Sequence, residues 1–144
     1  METKNRLPAA HIVASNESPE FGRLNWVLAR SSVIGLDAEW KPLRTQQSAF
    51  PNVSLLQLAC QLRPELRSDS AAAEEEDASV EVFLLDLDSI PLPSIWELMK
   101  EVFTSPDILK LGFRFKQDLV YLSSTFCSHG GCDPGFDKEV LLKL

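Results

Sequence analysis

Three apolar runs constrain this chain most: SVIGLDAE at residues 32–39, VSLLQLAC at 53–60 and VEVFLLDL at 80–87. Rich in branched aliphatic residues, they are predicted as strands. They follow one another with little helical pattern between them, so this part of the sheet is predicted to be antiparallel. HIVAS (11–15) is a weaker strand candidate. Ser18-Pro19 supplies an N-cap and a first helical position, and Phe21, Leu24, Val27 and Leu28 then recur on one helical face. Beyond Pro91 and Pro93, PSIWELMKEVFTS places Ile95, Leu98, Met99 and Val102 on one side of a second helix, which Pro106 ends. DILKLGF (107–113) reads as a fifth strand and RFKQDLVYLSSTF (114–126) as a third helix. The alternation predicts an α/β domain, three layers deep, around a mixed sheet.

Between the second and third apolar runs lies QLRPELRSDSAAAEEEDAS (61–79), read as an acidic, low-complexity loop insertion within one domain. It matters for charge. The chain is −7 overall, but residues 61–81 carry seven acids against Arg63 and Arg67, which leaves the remainder at −2. Global acidity therefore neither suggests nor excludes a polyanionic partner. The start, METKNRLPAA, has no apolar signal core, and no apolar run approaches the roughly 20 residues of a membrane span. A soluble intracellular protein, cytoplasmic or nuclear and without a membrane partner, is expected. Cys60, Cys127 and Cys132 show no disulfide framework spacing. With His129, the last two suggest a zinc clip, but a fourth ligand is missing and the spacing matches no common finger.

The chemistry-bearing candidates are carboxylates. On a strand, Asp37 and Glu39 share a side because side chains alternate. Two acids that close repel unless a cation neutralises them, and Mg²⁺ or Mn²⁺ prefers oxygen ligands. A solvated strand end is the plainer alternative. In the third helix, Phe115, Leu119, Leu122 and Phe126 form an apolar stripe, and Asp118 falls inside it. A core-facing acid there needs a partner, although an acid in a first helical turn is also favoured by the helix dipole. Asp86 and Asp88 form a second i, i+2 pair, assigned to turn and cap roles before Pro91.

GLDAEWKP (35–42), VSLLQLA (53–59), VFLLDLDSI (82–90) and ILKLGFRFKQDLVYL (108–122) resemble, in order, the DEDD-type 3′–5′ exonuclease domain. Its relatives are RNase D, the Werner-type exonucleases and the Nibbler-like branch, the last nearest in its Trp and Pro after the acid pair. The resemblance covers about residues 10–126. It implies a ribonuclease H-like fold, two divalent ions (Mg²⁺ or Mn²⁺), and removal of nucleotides from the 3′ end of RNA or single-stranded DNA. Asp37 and Glu39 match the first motif and Asp118 the second, as metal-holding catalytic carboxylates. Trp40, Phe113, Arg114 and Lys116 are candidates to stack a base or meet a phosphate, while Phe115 is expected in the core.

The family's third motif is a final aspartate preceded four places earlier by tyrosine or five places earlier by histidine. His129 and Asp133 are four apart but lie in turn chemistry, and nothing through Leu144 matches. The expectation is a fold incomplete in its C-terminal part, of doubtful activity. The alternative is a catalytically inactive module that binds nucleic acid or a protein partner.

Overall fold

A computed structural model describes residues 7–41, 52–64 and 80–128. They form β1 (Ala9–Val13), α1 (Pro19–Ala29), β2 (Ser31–Trp40), β3 (Val53–Leu62), β4 (Val80–Asp86), α2 (Leu92–Thr104), β5 (Leu109–Leu111) and α3 (Phe115–Ser128). The sheet order is β1-β4-β3-β2-β5. Strands β2, β3 and β4 are an antiparallel meander, as predicted, while β1 joins β4 and β5 joins β2 in parallel. The domain is therefore α/β with a mixed sheet.

Alternation decides which side of the sheet is core. Ile34, Leu36 and Ala38 of β2 lie level with Cys60, Leu58 and Leu56 of β3. Phe83 and Leu85 of β4 and Val13 of β1 continue the same rows, and all are buried. Against them pack Leu24, Val27 and Leu28 of α1, Ile95, Met99 and Val102 of α2, and Leu119, Leu122 and Phe126 of α3 in one cluster. On the other face Val33, Gly35, Leu55, Gln57, Val82 and Leu84 are half-buried, and Asp37, Glu39 and Ala59 are exposed. Among the described residues all three helices thus share one core with this face of the sheet.

Local chemistry accounts for the element ends. Ser18 caps α1, its Oγ accepting the Phe21 N–H at 3.3 Å, a contact of about 1 kcal/mol. Glu81 ties β4 to α1 and β1: Arg23 donates to both of its oxygens at 3.1 and 2.9 Å, and His11 Nε2 lies 3.2 Å away. Cys60 is buried and free. Burial, opposed by the Ser31 hydroxyl and reinforced by the charge of Glu81, pushes its thiol up to about 12.

Several predicted boundaries move. The first strand begins at Ala9 rather than His11, and β3 runs through Leu62, so the insertion expected at 61–79 starts inside a strand. The fifth strand shrinks from seven residues to the three of Leu109–Leu111. At its start Ser105 Oγ accepts the Asp107 N–H, and at its end the chain turns sharply into α3, with Arg114 at φ 52°. Cys127 ends up on a helix, and His129, Cys132 and the remaining tail lie outside the described residues. No described helix is long and apolar enough to cross a membrane.

Candidate active site

The short β5 is what opens the site. It pairs with β2 only from Val33 to Gly35, so past Gly35 the β5 side of β2 carries no strand and its backbone groups there need other partners. Asp118, in the first turn of α3, supplies one. Its carboxylate accepts the Ala38 N–H, midway between the two acids of the opening motif. The helix is held in that place from its far end as well. Thr125 Oγ1 accepts the Val53 N–H at 2.9 Å and donates to the Tyr121 carbonyl at 2.8 Å, a buried link from α3 to the start of β3.

Asp118 is 3% exposed, and its Oδ2 is buried with no hydrogen-bond partner. A buried carboxylate oxygen left bare is costly, on the order of 1–3 kcal/mol. Burial first, then the charges of Asp37 and Glu39, raise its pKa above the ordinary carboxylate value, and the Ala38 N–H opposes them. Asp118 therefore feels the charge of both other predicted acids, although it comes from a helix some 80 residues later in the chain. Asp37 and Glu39 are exposed on the open face of the sheet. Among the described residues no lysine, arginine or histidine pairs with any of the three.

A test of whether these residues suit a divalent cation gives two results. The donor set is all hard oxygen, and the bare Oδ2 of Asp118 is a ligand position without a protein partner. Yet no three acidic, imidazole or thiol side chains among the described residues are close enough together to enclose an ion as they stand. Asp37 and Glu39 are exposed, so their side chains are free to turn toward a cation that would offset their like charges. The chemistry fits.

The candidate nucleic-acid residues are divided. Phe113 is 83% exposed, with the Arg114 guanidinium 5.7 Å from its ring centroid. Phe113, Asp37, Gln57, Gly35, Ala59 and Leu111 line a shallow depression of about 630 Å³ on the open face. Lys116 is exposed and lines a second depression of about 530 Å³ along α3 with Arg114, Gln117 and Tyr121. Trp40 is instead packed edge-on against Tyr121, with ring centroids 4.6 Å apart, and Phe115 packs against the core as expected. Gly112 allows that packing, because a Cβ there would run into Phe115 Cδ2 and lie 3.2 Å from the Leu36 carbonyl.

Asp86 is placed otherwise. Its Oδ1 accepts the Asp88 N–H at 3.0 Å and its Oδ2 the Ser89 hydroxyl at 2.8 Å, so both oxygens serve the turn. Sequence reasoning passed over Gln57 and Thr125. Gln57 gains meaning only from the register that sets it opposite Asp37, and Thr125 only from the approach of α3 to Val53.

No protein-family model matches this sequence, and no curated protein does. Solved structures do. The EXO domain of Nibbler from Aedes aegypti is 26% identical at a TM-score of 0.59, over 90% of this chain and 51% of that one. The RNase D–GMP complex from Trypanosoma brucei is 20% identical at 0.59, over 85% of this chain and 30% of that one. RNase D from Escherichia coli, an exoribonuclease involved in structured RNA processing, is 19% identical at 0.52, over 83% and 24%. The chain thus spans about half the length of the first and under a third of the other two.

Proposed function

We propose, from the premise that this chain is a DEDD-type 3′–5′ exonuclease-like domain of ribonuclease H-like fold, that Asp37, Glu39 and Asp118 form the carboxylate part of a two-metal nuclease site. The observation that carries this reading is the buried Asp118 carboxylate, docked on the backbone between the other two acids with one oxygen bare. The three would hold Mg²⁺ or Mn²⁺, which when bound supplies charge neutralisation at the scissile phosphate and acidifies a water. The protein's own contribution is position. Asp118 is fixed by the Ala38 N–H and by the Thr125 link, whereas Asp37 and Glu39 keep freedom to turn toward a ligand. Phe113, which lines the same depression as Asp37, is suited to stack the terminal base of a single strand, and Arg114 beside its ring to meet a phosphate. The substrate class is the 3′ end of RNA or single-stranded DNA.

A second reading is an inactive exonuclease fold that binds nucleic acid or a protein partner. It is favoured by the count of carboxylates at the site, three among the described residues. One experiment separates the two. A 5′-labelled single-stranded RNA and its DNA counterpart are incubated with the protein in Mn²⁺, in Mg²⁺ and in chelator. The nuclease reading expects products shortened from the 3′ end that vanish in chelator and with Asp37→Ala. Binding without products favours the module. Trimming that survives Asp37→Ala sinks the site assignment.

A further inference from the structure

Gln57 is a polar side chain in an apolar setting. It sits in the middle of β3, with β2 on one side and β4 on the other. Across the sheet its register partners are Asp37 and Leu84. Along its own strand the same face carries Leu55 and Ala59, and the depression beside it is lined by Gly35, Val82 and Leu111. A glutamine amide has two N–H donors and a carbonyl acceptor, and here none of them bonds to a described residue. A leucine would suit this place as well for folding, so the amide calls for a use.

The register supplies one. Ala38 spends its N–H on Asp118, away from β3. In an antiparallel ladder hydrogen-bonded and non-bonded pairs alternate. Ala38 and Leu56 are thus a non-bonded pair, and Asp37 faces Gln57 as a bonded one. Both side chains leave the open face from directly opposed positions, typically about 5.5 Å apart at Cα. The amide can therefore reach one Asp37 oxygen while the other stays free for a ligand. Metal-holding carboxylates are commonly oriented by such a donor.

We infer that Gln57 is a positioning residue, donating through Nε2 to Asp37 and aiming that carboxylate at a divalent cation. This rests on the metal-site reading above. The test is Mn²⁺ affinity, measured by electron paramagnetic resonance and calorimetry on the full chain, with thermal melting alongside. Gln57→Leu and Gln57→Met are each expected to weaken Mn²⁺ binding about tenfold to a hundredfold, with the melting temperature in chelator unchanged. The loss is expected to persist in a Glu39→Gln background and to disappear in an Asp37→Asn background, because the amide acts through Asp37. Affinity within about twofold of wild type in either Gln57 variant overturns the inference and leaves the metal site standing, as does an equal loss in the Asp37→Asn background. A wild-type chain that binds no Mn²⁺ overturns the metal-site reading and this inference together.

Discussion

Asp118→Asn is expected to make the protein more stable while removing a metal ligand. In the wild type, Oδ2 is a buried carboxylate oxygen with no partner, beside two further acids. Asparagine keeps Oδ1 for the Ala38 N–H, removes the charge, and replaces the bare oxygen with an amide N–H donor. Removing an unsatisfied buried charge of this kind is worth about 1–2 kcal/mol, or roughly 3–6 °C in melting temperature for a domain of this size. The pH dependence carries the sign. Burial and neighbouring acids raise the folded pKa of Asp118 above its ordinary value, so the folded state keeps a proton that the unfolded chain has already released. Stability from this group is therefore full below the ordinary carboxylate range and lost as pH rises through the raised value. Melting curves in chelator across mildly acidic to neutral pH should show the variant ahead at neutral pH and the gap closing toward acid. Mn²⁺ should then raise the melting temperature of the wild type and not of the variant. A variant that melts below wild type at neutral pH would show that the carboxylate is satisfied in the fold, and the ligand argument would lose its main support.

Thr125→Val should cost about 1–3 kcal/mol in urea unfolding, because the Val53 N–H loses its buried acceptor. Thr125→Ser, which keeps the oxygen, should restore most of it. Asp86→Ala should lower stability by about 1 kcal/mol through loss of the turn contacts to Asp88 and Ser89. It should leave Mn²⁺ affinity unchanged, and a change there would place Asp86 in the site. Cys60, buried with its thiol pushed up to about 12, should resist iodoacetamide at mildly alkaline pH in the folded protein and react on unfolding. Peptide mapping by mass spectrometry distinguishes it from the other two cysteines, and labelling of native Cys60 would contradict its burial.

Most of the sheet and the helical stripes were legible because two periods carry them. Leu24, Val27 and Leu28, or Leu119, Leu122 and Phe126, are buried as their spacing predicts. What was not legible is how far the sheet is covered. Val33, Leu55 and Leu84 look as buried in sequence as Ile34, Leu56 and Leu85, and only the packing of the helices separates the two sets. The fifth strand was overread for a related reason. Phe113 continues an apolar run and scores as strand interior, yet the chain turns there and leaves the ring in solvent. That turn then shortens β5, frees the edge of β2, and admits Asp118. The strand's length is thus what the apolar run hid, while the exposure of Phe113 suits the base-stacking role its sequence suggested.

The two acid pairs show how little a motif says before its backbone is known. Asp37-x-Glu39 and Asp86-x-Asp88 both end strands, and Glu39, Leu55 and Asp86 even lie in one row across the open face. Their difference lies in what the adjacent main chain offers. After Asp86 the chain bends back on itself, so an N–H and a hydroxyl arrive within reach and consume both carboxylate oxygens. At Asp37 and Glu39 the strand runs on extended, and the one free N–H between them, that of Ala38, is taken by a third acid. Protein donors satisfy the first pair. At the second, each added carboxylate raises the demand for positive charge, and the described residues supply none.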